Sequence, residues 1–154
     1  MTDSRMYPTG SGGAKSRPIK GTLVDFGVLK AQRTRATVAQ INAGFTLLPA
    51  LPGVKWRLVD WDMIAIGGAV TGATDVRILG TQSGSSAALG ATAVAALTQS
   101  AVVRAGASNA VVLANGASFV ACDANTKVTV GKTGGSAATA TAVDITLLYV
   151  ADPA

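Results

Sequence analysis

The chain has 154 residues, 49% of them hydrophobic, with thirteen basic side chains, eight acidic ones and no histidine. All eight acids are aspartate and only 14% of residues are charged, so the commonest general base and any glutamate pair are excluded from its chemistry. Cys122 is the single cysteine, which excludes an intramolecular disulfide.

The charge is unevenly placed. Residues 1–35 hold seven basic and two acidic side chains, which is the whole formal excess of +5, and the remainder is neutral. The hydrophobic content is mostly small: there are 18 glycines, many alanines and only 5% aromatics. Such a core is thin, because burial stabilises by roughly 25 cal/mol per Å² of apolar surface and alanine has little to bury. Further burial by self-association is expected. The first residues lack the apolar stretch of a signal peptide, and no uninterrupted apolar run is long enough to span a membrane. Synthesis in a cytoplasm is therefore expected.

Taken in chain order, residues 1–21 read as a flexible basic arm. Tyr7-Pro8-Thr9-Gly10-Ser11-Gly12-Gly13 and Lys15-Ser16-Arg17-Pro18 are turn formers and charges that bury no face. A single β-domain follows over 22–154. Short strands are predicted at 22–26, 37–41 and 45–48, the last closed by Pro49. Residues 55–66 form the clearest strand, rich in β-branched and aromatic residues. Its alternation slips near Val59-Asp60, which predicts a bulge or a bend, and Gly67-Gly68 ends it. Alternation over 73–79 places Val76 and Ile78 on one face, and 80–84 reads as a loop. The Ala-rich stretch 85–97 fits strand or helix and is read as strand. Further strands are predicted at 110–113, 118–122, 127–130 and 141–150, with 131–136 as a flexible loop. Eight or nine short strands with turn residues between them describe an all-β fold, a jelly-roll-like β-sandwich or a barrel.

Few residues offer chemistry. Asp60 and Asp62 share a strand face and read either as an acid/base or metal pair or as a solvated face bridged to Arg57 or Arg77; the second fits better. Gly131-Lys132-Thr133 lacks the upstream glycine of a phosphate loop. Cys122 has no neighbouring base to activate it and reads as a small buried residue. No enzyme, cofactor or metal site is expected. Trp56 and Trp61 stand five apart, so a regular strand places them on opposite faces and a bulge places both in the core. Trp61 is the candidate surface aromatic. The basic residues Arg5, Lys15, Arg17, Lys20, Lys30, Arg33 and Arg35 are the candidate partner-binding anchor. With only Tyr7 and Phe26 near them, they fit a protein surface better than nucleic acid.

Several stretches carry a family likeness: Thr46-Leu47-Leu48-Pro49-Ala50, Trp56-Arg57-Leu58-Val59-Asp60, Ala65-Ile66-Gly67-Gly68, Thr74-Asp75-Val76-Arg77-Ile78 and Ala138-Thr139-Ala140-Thr141-Ala142-Val143-Asp144-Ile145. In these, and in its Ala/Gly/Thr/Val-rich composition, the chain resembles the head-decoration (cement) proteins of tailed bacteriophages. The resemblance implies a jelly-roll-like domain, homo-oligomers (trimers favoured, dimers the alternative) seated on capsid symmetry axes, and N-terminal arms gripping the major capsid protein on the virion exterior. No binding motif transfers residue by residue. The other reading is a phage tail or fibre module that binds a host glycan or receptor through an aromatic such as Trp61.

Overall fold

The computed structural model describes residues 16–19, 22–105 and 119–154. The strands are β1 (Ser16–Ile19), β2 (Thr22–Asp25), β3 (Leu29–Thr37), β4 (Phe45–Leu48), β5 (Val54–Ile66), β6 (Val70–Gln82), β7 (Ser85–Ala93), β8 (Val102–Arg104), β9 (Val128–Thr139) and β10 (Ala142–Pro153). One six-residue helix, α1 (Val38–Ala43), joins β3 to β4. No helix among the described residues is long and apolar enough to cross a membrane.

β1 and β2 form a small antiparallel ribbon, and the other eight strands form two four-stranded antiparallel sheets, β3-β10-β5-β8 and β4-β9-β6-β7. The first strand of the eight pairs with the last, and the series continues inward: β3 with β10, β4 with β9, β5 with β8 and β6 with β7. That is one long antiparallel ribbon wrapped into two layers, the connectivity of a jelly roll. The all-β sandwich expected from the strand pattern is observed, as two open sheets.

The core lies between the layers. Met63, Ile145 and Leu147 of the first sheet and Val76, Ile78 and Val130 of the second are almost wholly buried, each branched or long side chain contributing about 1.5–3 kcal/mol on transfer from water. β5 shows how the sequence builds this face. Val54, Trp56 and Leu58 point inward, then Trp61, Met63 and Ala65. The register against β10 shifts between Leu148 and Tyr149, so Val59 is the extra residue. The expected bulge is therefore present, and it returns both tryptophans to the core.

Other expectations are corrected. The strand expected at 37–41 is overturned: Thr37 ends β3 and Val38–Ala43 are helical, because Thr37 and Gln40 make a reciprocal capping box, the Thr37 hydroxyl accepting from the Gln40 amide at 3.2 Å and the Gln40 side chain accepting from the Thr37 amide at 2.8 Å. Residues 131–136 are part of β9. Their glycines suit close approach to β6: a Cβ at Gly134 or Gly135 would collide with Thr74 or with the Gly72 carbonyl. The loop expected over 80–84 shrinks to Ser83-Gly84, a two-residue turn with φ of 52° and 74°. The strand expected at 118–122 is absent from the described residues 119–122, and 110–113 lie outside the described residues. The 85–97 stretch is strand β7 followed by a 3₁₀ turn, Val94–Ala96. Most of the arm, 1–15 with 20 and 21, lies outside the described residues, while Ser16–Ile19 pair in register with Thr22–Asp25.

Candidate interaction surface

The basic anchor residues divide. Arg5, Lys15 and Lys20 lie outside the described residues. Arg17 stands on β1 opposite Val24. Lys30, Arg33 and Arg35 lie on β3, an integral strand of the sandwich, and not on an extended arm. Lys30 Nζ is 3.8 Å from Asp25 Oδ2.

Arg33 and Arg35 converge on one carboxylate. Asp144 on β10 is the cross-strand partner of Arg35, two residue pairs from the Thr146–Arg33 pair. Arg35 donates through Nε at 2.6 Å and Nη2 at 2.8 Å, and Arg33 donates through Nη2 at 2.5 Å. The carboxylate is only 2% exposed, while the two arginine side chains are 60% and 61% exposed and roof it over. The Arg35 hydrogen bond is the main cause holding the Asp144 carboxyl down to about 2, with Arg33 adding to it and burial opposing. Two cations share one anion, so the cluster keeps one net positive charge.

These groups occupy the outer face of the first sheet. Residues in register share a face, so Arg33, Thr146, Asp62 and Arg104 form one row across it and Arg35, Asp144, Ile64 and Val102 the next. Leu29 and Val102, at its margins, are 55% and 50% exposed. Asp60 accepts a hydrogen bond from the Trp61 amide at 2.8 Å and so closes the bulge. Neither Asp60 nor Asp62 takes the expected arginine: Arg57 pairs with Asp152 and Arg77 with Asp75. No group of three metal-ligating side chains occurs among the described residues.

The second sheet carries a related cluster. Asp75, 3% exposed, takes two hydrogen bonds of 2.7 Å from Arg77, two residues along the same strand. Burial is the largest single influence and pushes its carboxyl up, but hydrogen bonds from Arg77 and Thr133 and the charge of Arg77 together bring it below the usual range. A shallow depression of about 200 Å³ beside this sheet is lined by Leu79, Gly80, Thr81, Ser86, Lys127 and Thr129; its one charged group and open form make no enclosed site.

Trp61 is corrected as a surface aromatic. It is 5% exposed and lies against β7 of the facing sheet, where a Cβ at Gly90 would overlap its indole nitrogen. Trp56 is buried too; it donates to the Pro49 carbonyl at 2.9 Å and meets Tyr149 edge-on, with ring centroids 5.5 Å apart. Cys122 is buried as expected, its thiol pushed up by burial. Sequence reasoning overlooked Asp144 and Asp123 and offered Arg77 to Asp60 or Asp62 where it pairs with Asp75. The first stands in an alternating strand like any solvent-side acid. The Asp123 carboxylate accepts from the Ser83 and Gly84 amides at 3.0 and 2.7 Å and fixes the β6–β7 turn across a gap of about forty residues.

No protein-family model matches the chain, and neither a curated protein nor a solved structure matches it.

Proposed function

We propose that the protein is a structural component of a phage virion that binds the outside of the capsid as an oligomer and braces contacts between major capsid protein subunits. Residues 1–35 are its anchoring end. The observation that carries this reading is the separation of charge: the entire excess of +5 lies in residues 1–35, ahead of an electrically neutral remainder. The sandwich supports it by offering a body of two sheets whose edge strand β3 itself carries Lys30, Arg33 and Arg35. Several copies of such an anchor on one oligomer would act multivalently, so that weak individual contacts add up to tight attachment. The glycan-binding alternative loses its aromatic, because Trp61 packs between the sheets.

The test is a truncation assayed by co-sedimentation with empty capsids. β1 begins at Ser16 and pairs with β2, so the cleaner cut removes residues 1–15 and keeps the ribbon. The truncated chain is expected to retain its far-ultraviolet spectrum and lose capsid binding. Undiminished binding removes residues 1–15 from the anchor, and undiminished binding after Arg17, Lys20, Lys30, Arg33 and Arg35 are also changed to alanine sinks the anchor role.

A further inference from the structure

Each sheet of a sandwich has two edges, and open edges recruit other strands unless they are shortened, covered or charged. Here β8 has three residues and β4 four. β7 is nine residues long with β6 as its one strand neighbour among the described residues, but its register against β6 shifts between Ile78 and Leu79, and such a bulge blunts an edge. β3 is also nine residues long with one strand neighbour, β10, among the described residues, but it pairs with β10 without any register shift. Among the described residues no strand pairs with the other side of its backbone.

The side chains say what kind. Arg33 and Arg35 stand two apart, so they share the outer face. On the β10 side they meet one carboxylate between them; on the open side no acid stands opposite them among the described residues. A guanidinium has five N–H donors; Arg35 uses two on Asp144 and Arg33 uses one. Asp144 already fixes both guanidiniums, so less side-chain freedom remains to be lost on binding. A second copy of β3 would bring arginine against arginine, which opposes pairing like with like.

The geometry points to β3 as a docking edge for an extended acidic segment of a partner protein. That segment adds as a further strand, with two carboxylates spaced two residues apart opposite Arg33 and Arg35. Main-chain hydrogen bonds supply attachment, and the carboxylate–arginine–carboxylate row supplies register and selectivity.

The test uses the full chain and a soluble acetylated peptide, Thr-Val-Glu-Val-Glu-Val-Thr, followed by amide chemical shifts. Perturbation is expected along 29–37 and its β10 neighbours. The same peptide with alternate backbone nitrogens methylated should lose binding, and the lysine-for-glutamate version should bind at least about tenfold more weakly. Arg33→Ala, which leaves Asp144 held by Arg35, should weaken binding by about three- to fivefold. Shifts confined to other strands, equal binding of the methylated peptide, or equal binding of the lysine peptide would each overturn the proposal. None of these outcomes depends on the capsid assay, so the two readings stand or fall separately.

Discussion

Both sheets bury an aspartate under arginine on the face turned away from the core, but they wire it differently. In the second sheet Asp75 and Arg77 are neighbours on one strand, so the pair bridges nothing that the chain does not already join. In the first, Asp144 on β10 is held by Arg33 and Arg35 on β3, more than a hundred residues away. That pair ties an edge strand to the middle of its sheet, and it does so twice. The difference teaches that an identical ion pair can tidy a local surface or close the first strand of the sandwich onto the last. It also means that one cluster depends on a single arginine and the other has a spare.

The largest expected effect comes from what joins the two sheets. Trp61→Ala removes the ring that fills the space over Gly90 and should cost about 3–5 kcal/mol in urea unfolding; a value under about 1 kcal/mol would contradict its place between the layers. Arg77→Ala comes next. It strips a nearly buried carboxylate of its one cation among the described residues and should cost about 1–3 kcal/mol, measured in the same way.

Asp144 provides the pH test. Its carboxyl lies at about 2 in the folded chain, against roughly 3.9 for a free aspartate. A depressed carboxyl stabilises the fold above the free value, and that contribution is lost as pH falls from about 4 to about 2. Because both guanidiniums are more than half exposed, solvent screening keeps the contribution to about 1 kcal/mol. Asp144→Asn should flatten that part of the stability–pH curve; an unchanged acid limb would remove the pair from the account. The smallest effect belongs to Arg33→Ala, under about 0.5 kcal/mol, because Arg35 still holds both carboxylate oxygens. Changing both arginines together should cost more than the two single losses added. Strict additivity would mean that neither substitutes for the other.

Much of the sandwich was legible in the residues. β5, β6 and β10 alternate clearly, and the slip at Val59-Asp60 announces the bulge that turns Trp61 inward. β3 was hidden, because Lys30, Gln32, Arg33 and Arg35 interrupt any apolar face and leave the segment as a basic stretch of the β-domain with no strand signal. It is a strand because β10 offers it hydrogen bonds along its whole length and Asp144 offers its arginines an anion. The helix α1 had a signal in Thr37 and Gln40, three apart, which outweighs the alternation of the residues between them. The glycines of 131–136 read as a loop because a glycine's need for space is a property of its neighbour, here Thr74 and Gly72 on β6.

Sequence alone determined the all-β class, the confinement of the net charge to residues 1–35 and the bulge, because composition, charge placement and a period of two are local quantities. Tertiary structure decided which acids meet which arginines, that Trp61 faces Gly90 and not solvent, and that β3 stands at the edge of its sheet among the described residues. Those facts depend on strands brought together from opposite ends of the chain, and no spacing within a segment encodes its neighbour across the sheet.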